Sequence, residues 1–139
     1  MKRYAIGLAA LLLACTAGAA SAQTMSYAQA GALIAKSCGP SIEKFCAKIN
    51  LGGGDIQKCL SQHQDQVPAQ CFTDYSAVVA SIGKRVAAQQ SMPKVCGNNV
   101  RQYCPGVQPG DANILDCLQA SSKVVSASCK QVMLDAGWQ

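Results

Sequence analysis

The stretch C-G-P-S-I-E-K-F-C at residues 38–46 returns as C-G-N-N-V-R-Q-Y-C at residues 96–104. In both copies another cysteine follows after twelve residues and a fourth after eleven more, which gives the pattern C-x7-C-x12-C-x11-C twice. Each cysteine of the second set lies 58 residues after its partner, and three matching intervals indicate a tandem repeat. The two sets are Cys38, Cys46, Cys59 and Cys71, and Cys96, Cys104, Cys117 and Cys129.

The repeat preserves scaffold residues and no polar ones. Ten residues are identical over 34 aligned positions, and those that are not cysteine are glycine or apolar. They are Gly39/Gly97, Gly52/Gly110, Ile56/Ile114, Leu60/Leu118, Val67/Val125 and Ala69/Ala127. Charged positions differ, since Glu43 aligns with Arg101 and Lys58 with Asp116. A catalytic or ligand site common to both copies is therefore not expected, and the differing positions are the candidate surface.

Residues 1–22 are predicted to be a signal peptide. Lys2 and Arg3 precede an apolar run over residues 4–14, and Ala20-Ser21-Ala22 matches an A-x-A cleavage site. The run is too short to span a bilayer. A competing interpretation is a lipobox, Leu12-Leu13-Ala14-Cys15, in which Cys15 carries a lipid anchor. Either route removes Cys15 from the disulfide pool and predicts an exported protein, periplasmic or secreted.

The mature chain is the size of one domain and mildly basic. Cleavage leaves 117 residues, which we divide into repeat 1 (23–90, with an N-terminal helix and a long linking helix) and repeat 2 (91–139). Loss of Lys2 and Arg3 leaves ten Lys and Arg against seven Asp and Glu, or +3. These charges are scattered without a basic stripe, so nucleic acid is not an expected partner.

The eight mature cysteines are predicted to form disulfides. An oxidising compartment preserves paired thiols, and a core with two Phe and one Trp is light enough to need staples. Each repeat allows three connectivities. The nested one, Cys46–Cys59 inside Cys38–Cys71, is favoured because it suits two antiparallel helices joined by the Gly-rich turn at 50–54. The same pattern pairs Cys104–Cys117 inside Cys96–Cys129.

A thiol-based metal or redox protein is the alternative, because eight cysteines in 117 residues is a high density. No C-x-x-C is present, and metal sites of thiolates usually have such short spacings. Cys59 and His63, four residues apart, are weak metal candidates, and the residue aligned with His63 is Ser121. An exposed histidine is favoured over a ligand, and no cofactor is expected. Enzyme motifs such as G-x-S-x-G and H-E-x-x-H are missing, so the chain is predicted not to be an enzyme.

The composition, rich in Ala, Gln, Leu and Lys, predicts an all-α fold: two disulfide-stapled helical hairpins packed as one small body. A helix capped by Ser26 is expected to stop before Gly39-Pro40, and a short helix to follow around Ile42–Cys46. After a helix from Asp55, a longer one from Pro68 is expected to end near Gln89, and Ser91 with Pro93 to start the second copy. The helix expected from Pro68 carries an apolar stripe that should lie in the core: Cys71, Tyr75, Val78, Val79, Ile82 and Val86.

The repeat resembles a known family. An aromatic residue before the second cysteine (Phe45, Tyr103), glycine in the middle loop and C-L at the third cysteine are similar to the cysteine-rich repeat of the Golgi cysteine-rich fibroblast-growth-factor-receptor, or E-selectin-ligand, type. The resemblance covers residues 38–75 and 96–133. It implies a helical disulfide fold and has no catalytic residues to transfer. Large members are lumenal membrane proteins that bind growth factors and glycan-dependent partners, whereas this chain looks like a small exported bacterial member.

The sequence therefore predicts an exported, non-enzymatic binding or envelope module with an unknown protein or glycan partner. The alternative is a periplasmic thiol-based metal-binding or redox protein. No transmembrane segment is expected after removal of the signal.

Overall fold

A computed structural model describes residues 23–50 and 53–138, and within these ranges the chain contains five α-helices and no strand. The helices are α1 (Tyr27–Phe45), α2 (Asp55–Gln62), α3 (Ala69–Tyr103), α4 (Asn113–Ala120) and α5 (Ala127–Ala136). The expected all-α fold is confirmed. The expected signal peptide and Cys15 lie outside the described residues, as do Leu51 and Gly52 of the predicted turn.

Helix α1 begins at the predicted cap. The Ser26 hydroxyl oxygen accepts a hydrogen bond from the Gln29 N–H at 3.1 Å, and the Gln29 side-chain oxygen accepts one from the Ser26 N–H at 2.8 Å. This reciprocal capping box satisfies two backbone donors that lack partners within the first turn. Local chemistry is therefore sufficient to place the start of α1.

The helix boundaries of the second half follow those of the first by 58 residues. Helix α4 begins at Asn113 as α2 begins at Asp55, and α5 begins at Ala127 as α3 begins at Ala69. Helix α3 ends at Tyr103, 58 residues after Phe45 ends α1. The 35-residue α3 is consequently two helices in one: the third helix of the first repeat continues directly into the first helix of the second.

The expected break at Gly39-Pro40 is wrong, because α1 runs through both residues to Phe45. A proline inside a helix removes one backbone hydrogen bond and crowds the preceding turn. Here Pro40 is exposed and lies between Cys38 and Cys46, whose disulfides hold α1 against α3 and α2. Tertiary bonds on both sides of the proline outweigh its local effect, and the predicted short helix around Ile42–Cys46 is the end of α1.

The expected break near residues 89–91 is wrong as well, since α3 continues through Pro93. Ala88, Met92 and Cys96 are spaced four apart and are all buried in the core of the second repeat. Residues four apart share a helix face, so an unbroken helix keeps these three side chains directed at the same core. Burial on both sides of the junction therefore favours continuity.

The predicted apolar stripe of α3 is only partly in the core. Cys71 is buried and Tyr75, Val78 and Ile82 are half-buried. Val79 and Val86, in contrast, are 55% and 37% exposed, so their assignment to the core is wrong. The stripe is wider than the surface that α1 and α5 cover.

Two hydrophobic clusters form the interior, one in each repeat. The first contains Ile56, Leu60 and Val67 with its four cysteines, and the second contains Leu118, Val125, Val132 and Met133 among its buried residues. Helix α3 contributes to both clusters, because α1 packs on one part of it and α5 on another. The predicted single helical body is confirmed, and α3 is its shared element.

The segment before α1 also connects the two repeats. The Thr24 hydroxyl donates a hydrogen bond to the Asp135 carbonyl at 2.6 Å, and the Arg85 guanidinium donates to the carbonyls of Met25 at 2.8 Å and Ala136 at 3.0 Å. The N-terminus of repeat 1 is thereby held against the C-terminal helix of repeat 2.

Candidate functional site

Each repeat contains two disulfides in the nested arrangement. The outer bonds join Cys38 to Cys71 and Cys96 to Cys129, each 33 residues apart, with Cα atoms 4.9 Å apart. The inner bonds join Cys46 to Cys59 and Cys104 to Cys117, each 13 residues apart, with Cα atoms 6.0 Å apart. The outer bonds hold each repeat's first helix against its third, and the inner bonds hold the end of the first helix against the second.

The outer disulfides are inaccessible. Cys38, Cys71, Cys96 and Cys129 have no exposed surface. Thiol–disulfide exchange requires a thiolate to reach a sulfur atom, so such bonds resist reduction as long as the fold is intact. The arrangement therefore suits a permanent staple rather than a reversible redox centre.

The weak metal candidates Cys59 and His63 do not form a ligand pair. The Cys59 sulfur is bonded to Cys46, so it is not a thiolate. The imidazole of His63 stacks on the Phe45 ring with centroids 4.5 Å apart and an interplanar angle of 14°, and the Lys44 ammonium lies 4.7 Å from the same ring. Within residues 23–50 and 53–138, no group of three His, Cys, Asp or Glu residues is placed to hold a metal ion.

The turn before each repeat's second helix has one backbone shape made from different residues. Gly53 and Gly54 have φ angles of 64° and 80°, and the aligned Asp111 and Ala112 have φ angles of 45° and 63°. Positive φ is unfavourable for residues that carry a Cβ atom. The second repeat accepts this strain at two consecutive residues, next to the concave surface described below.

That surface, the repeat 2 groove, lies between α3, the 105–112 loop, α4 and the end of α5. Its volume is about 680 Å³, and its walls are largely apolar. The side chains that form it include Met92, Val100, Ile114, Leu115 and Trp138, with Arg101 at the edge. The sequence identified Arg101 as a candidate surface position, but it did not predict the groove, because the apolar residues that line it are far apart along the chain.

The sequence signal for the groove is a difference between the repeats. Leu115 and Trp138 align with Gln57 and Ala80, so two large apolar walls of the groove exist in the second copy alone. Arg101 aligns with Glu43, which reverses the charge at the edge. Leu115 and Trp138 pack against the core of repeat 2 and remain partly exposed, so they add apolar surface that repeat 1 lacks at the aligned positions.

Trp138 is held in place by the end of α5. The Gly137 N–H donates to the Leu134 carbonyl at 3.0 Å, and the Trp138 N–H donates to the Met133 carbonyl at 2.9 Å. With Gly137 at φ 77°, these bonds form a Schellman motif, which ends a helix and packs the residue after the glycine against the last turn. The indole therefore belongs to a defined local structure.

The charged positions that differ between the repeats have ordinary surface surroundings. Lys58 forms an exposed ion pair with Asp55 at 3.3 Å, three residues away on α2. The Arg101 guanidinium donates a hydrogen bond to the Asn98 side chain. Exposed ion pairs contribute little to stability, so these residues are available for a role at the surface.

None of the helices in the described part of the chain has the length and hydropathy needed to cross a membrane.

Comparison with known proteins gives a distant similarity. The chain is 21% identical over 100 residues to Golgi apparatus protein 1 of Homo sapiens, which covers 70% of this chain and 8% of that protein. It is 22% identical to Golgi apparatus protein 1 of Gallus gallus, over 70% of this chain and 9% of that protein. The chain thus spans less than a tenth of these relatives.

Two other comparisons found nothing. The chain matches no family model, and no solved structure matches it. The similarity to Golgi apparatus protein 1, together with the four disulfides, supports a cysteine-rich repeat protein.

Proposed function

We propose that the chain is an exported, non-enzymatic binding module whose two repeats are held by permanent disulfides. The observation that carries the proposal is that all eight cysteines of the repeats are joined in pairs, at equivalent positions. A fold stabilised in this way can vary its surface freely, and the charged positions of the two copies do vary. Small disulfide-rich domains of exported proteins commonly present such surfaces to partners.

The proposal includes a signal peptide over residues 1–22, which export requires. It assigns residues 23–90 and 91–139 to the two repeats, with the division inside α3. The location is periplasmic or secreted, and the partner is a protein or a glycan. Similarity to a protein named for the Golgi apparatus, a compartment of the secretory pathway, agrees with an oxidising location.

The test is the intact mass of the exported protein without reduction. We expect the mass of residues 23–139 less eight hydrogen atoms, two for each disulfide, with no metal. Free thiols or a retained metal ion would contradict the proposal and support the thiol-based alternative. A mass with lipid on Cys15 would move the protein to a membrane surface and contradict cleavage after Ala22.

Replacement of the single histidine separates a binding module from His-dependent chemistry. His63→Ala removes the ring stacked on Phe45, and we expect the fold and any partner binding to survive with a small loss of stability, about 0.5–1 kcal/mol. Thermal unfolding and binding measured side by side provide the check. Loss of function with an unchanged melting temperature would show that the imidazole has a chemical role.

A further inference from the structure

The repeat 2 groove has the dimensions and lining of a small-molecule site. Its volume of about 680 Å³ falls within the range of about 300–1,000 Å³ typical of ligand pockets. Val100, Ile114, Leu115 and Trp138 are only half-buried, so apolar surface along the groove remains in contact with water. An apolar ligand that covered these side chains would be favoured by the hydrophobic effect.

One edge of the groove carries a cation, Arg101, for which no ion pair is found among the residues that the structure describes. The Arg101 side chain is exposed, and its described hydrogen bond is to the neutral Asn98. One of its guanidinium nitrogens lies 3.7 Å from where a Cβ atom of Gly97 would be, and Gly97 also lines the groove. Asp111 lies on the rim too, but no ion pair joins it to Arg101 among the described residues.

The first repeat provides an internal comparison. At the aligned positions it has Glu43 for Arg101, Gln57 for Leu115 and Ala80 for Trp138. Leu115, Trp138 and Arg101 are therefore specific to one copy and occur together in it, with the exposed Asp111 also on the rim. Charge also reverses between Lys58 and Asp116, so the second copy is distinguished by the combination of an arginine with added apolar side chains at one groove and not by the reversal alone.

We infer that the repeat 2 groove binds a free single-chain amphiphile with one carboxylate, of the medium-chain fatty acid class. The inference rests on the proposed function and gives that module a small-molecule ligand in addition to its protein or glycan partner. The alkyl chain lies along Leu115 and Trp138, and the carboxylate faces Arg101. A guanidinium matches a carboxylate through two parallel hydrogen bonds, which selects an anionic head group over a neutral or cationic one.

The protein contains one tryptophan, and that residue lines the groove. The experiment titrates the exported, disulfide-bonded protein with monomeric dodecanoate, and follows both Trp138 fluorescence and equilibrium dialysis of labelled dodecanoate. Dodecyltrimethylammonium and dodecanol serve as cationic and neutral ligands with the same chain. We expect saturation at one site per chain, with dodecanoate bound about tenfold or more tightly than dodecyltrimethylammonium.

Two variants carry first-repeat residues into the groove. Arg101→Glu should weaken dodecanoate about tenfold or more and leave dodecyltrimethylammonium unchanged or tighter. Leu115→Gln should weaken both ligands, because it removes apolar contact without touching the charge. Lys123→Glu is the matched control for net charge: Lys123 is exposed and does not line the groove, so dodecanoate affinity should not change. Melting temperatures show that each variant is folded.

Several results would overturn the inference. They are a response that rises without saturation, equal affinity for the anionic and cationic ligands, and unchanged dodecanoate affinity in folded Arg101→Glu protein. Binding to anionic vesicles without binding of monomeric dodecanoate would instead assign this face to a membrane surface. If dodecanoate fails to bind a protein with four intact disulfides, the proposed ligand class is wrong but the proposed binding module is not contradicted. Free thiols in the exported protein would contradict the disulfide-bonded module itself.

Discussion

The two repeats start their third helices in different ways at aligned positions. Repeat 1 places Pro68 before α3, with φ −56° and ψ 136°, and repeat 2 places Ser126 before α5, with φ −58° and ψ 149°. A second aligned pair also differs: the buried Ser41 of repeat 1 corresponds to the buried Asn99 of repeat 2. Nearly the same backbone is thus reached with two different pairs of side chains.

Hydrogen bonding explains why the two positions differ together. The Ser126 N–H donates to the Asn99 side-chain oxygen at 2.7 Å, and the Asn99 amide donates to the Ser126 hydroxyl at 3.2 Å. Proline has no N–H, so repeat 1 has no donor there that requires an acceptor. Positions 99 and 126 are therefore matched within each repeat, and we expect these two residues to be exchangeable between the copies only as a pair.

The largest expected effect comes from removing an outer disulfide in one repeat and then in the other. Cys38→Ser/Cys71→Ser and Cys96→Ser/Cys129→Ser should each lower the free energy of unfolding by roughly 3 kcal/mol, because the unfolded chain regains the freedom that the closed loop had removed. Denaturant unfolding of both double variants measures the loss.

The two double variants should also differ in how much local structure each repeat loses. Among the described residues, the cluster of repeat 2 has ten buried members and that of repeat 1 has seven, so repeat 1 should retain less structure without its outer bond. Hydrogen exchange should show faster exchange in α1 and α2 for the first variant than in α4 and α5 for the second. Equal exchange in the two variants would contradict this ranking.

A smaller effect is expected from breaking the matched pair of repeat 2. Asn99→Ser should destabilise the protein by about 1–2 kcal/mol, because the Ser126 N–H loses its acceptor and the shorter side chain fills less space. In a Ser126→Pro background the same change should be less harmful, because the donor is gone and the backbone already suits proline.

A double-mutant cycle from thermal or denaturant unfolding measures this coupling. The variant Asn99→Ser/Ser126→Pro reproduces the pair found in repeat 1, so the two changes together should cost less than their sum by about 1 kcal/mol. Strict additivity would mean that the hydrogen bond between Asn99 and Ser126 is not what couples the positions.

The smallest effect concerns the turn before the second helix. Ala112→Gly should stabilise the protein by about 0.5–1 kcal/mol, because glycine adopts the φ of 63° found there without steric strain. Gly54→Ala in repeat 1 should destabilise by about 1 kcal/mol; no heavy atom of the described residues lies within 4 Å of the added Cβ, so the expected effect is one of backbone conformation.

Melting temperatures of these two variants should shift in opposite directions. A shift in the same direction would contradict the prediction, because it would show that backbone strain at positive φ does not determine the stability of both turns. Dodecanoate affinity measured on Ala112→Gly would also show whether the strained loop influences the adjacent groove.

Periodicity and local chemistry were sufficient to predict several parts of this protein. The 58-residue repeat indicated two copies with four cysteines each, Ser26 was identified as a cap, and the composition indicated helices. These features follow from the chain itself, because caps and helix propensities act between residues close in sequence. The nested pairing was one of three open arrangements, favoured by the turn between the inner cysteines.

Where the helices continue, and which side chains they leave exposed, depends on packing between distant parts of the chain. Pro40 and Pro93 oppose a helix locally, but disulfides and burial on both sides of each residue keep α1 and α3 unbroken. Val79 and Val86 fit an apolar stripe, yet α1 and α5 leave them exposed. The repeat 2 groove likewise required packing, because Arg101, Leu115 and Trp138 come from separate elements that the two disulfides of repeat 2 and the end of α5 bring together. The physical reason is that contacts between distant residues depend on how the helices pack, which no local pattern contains.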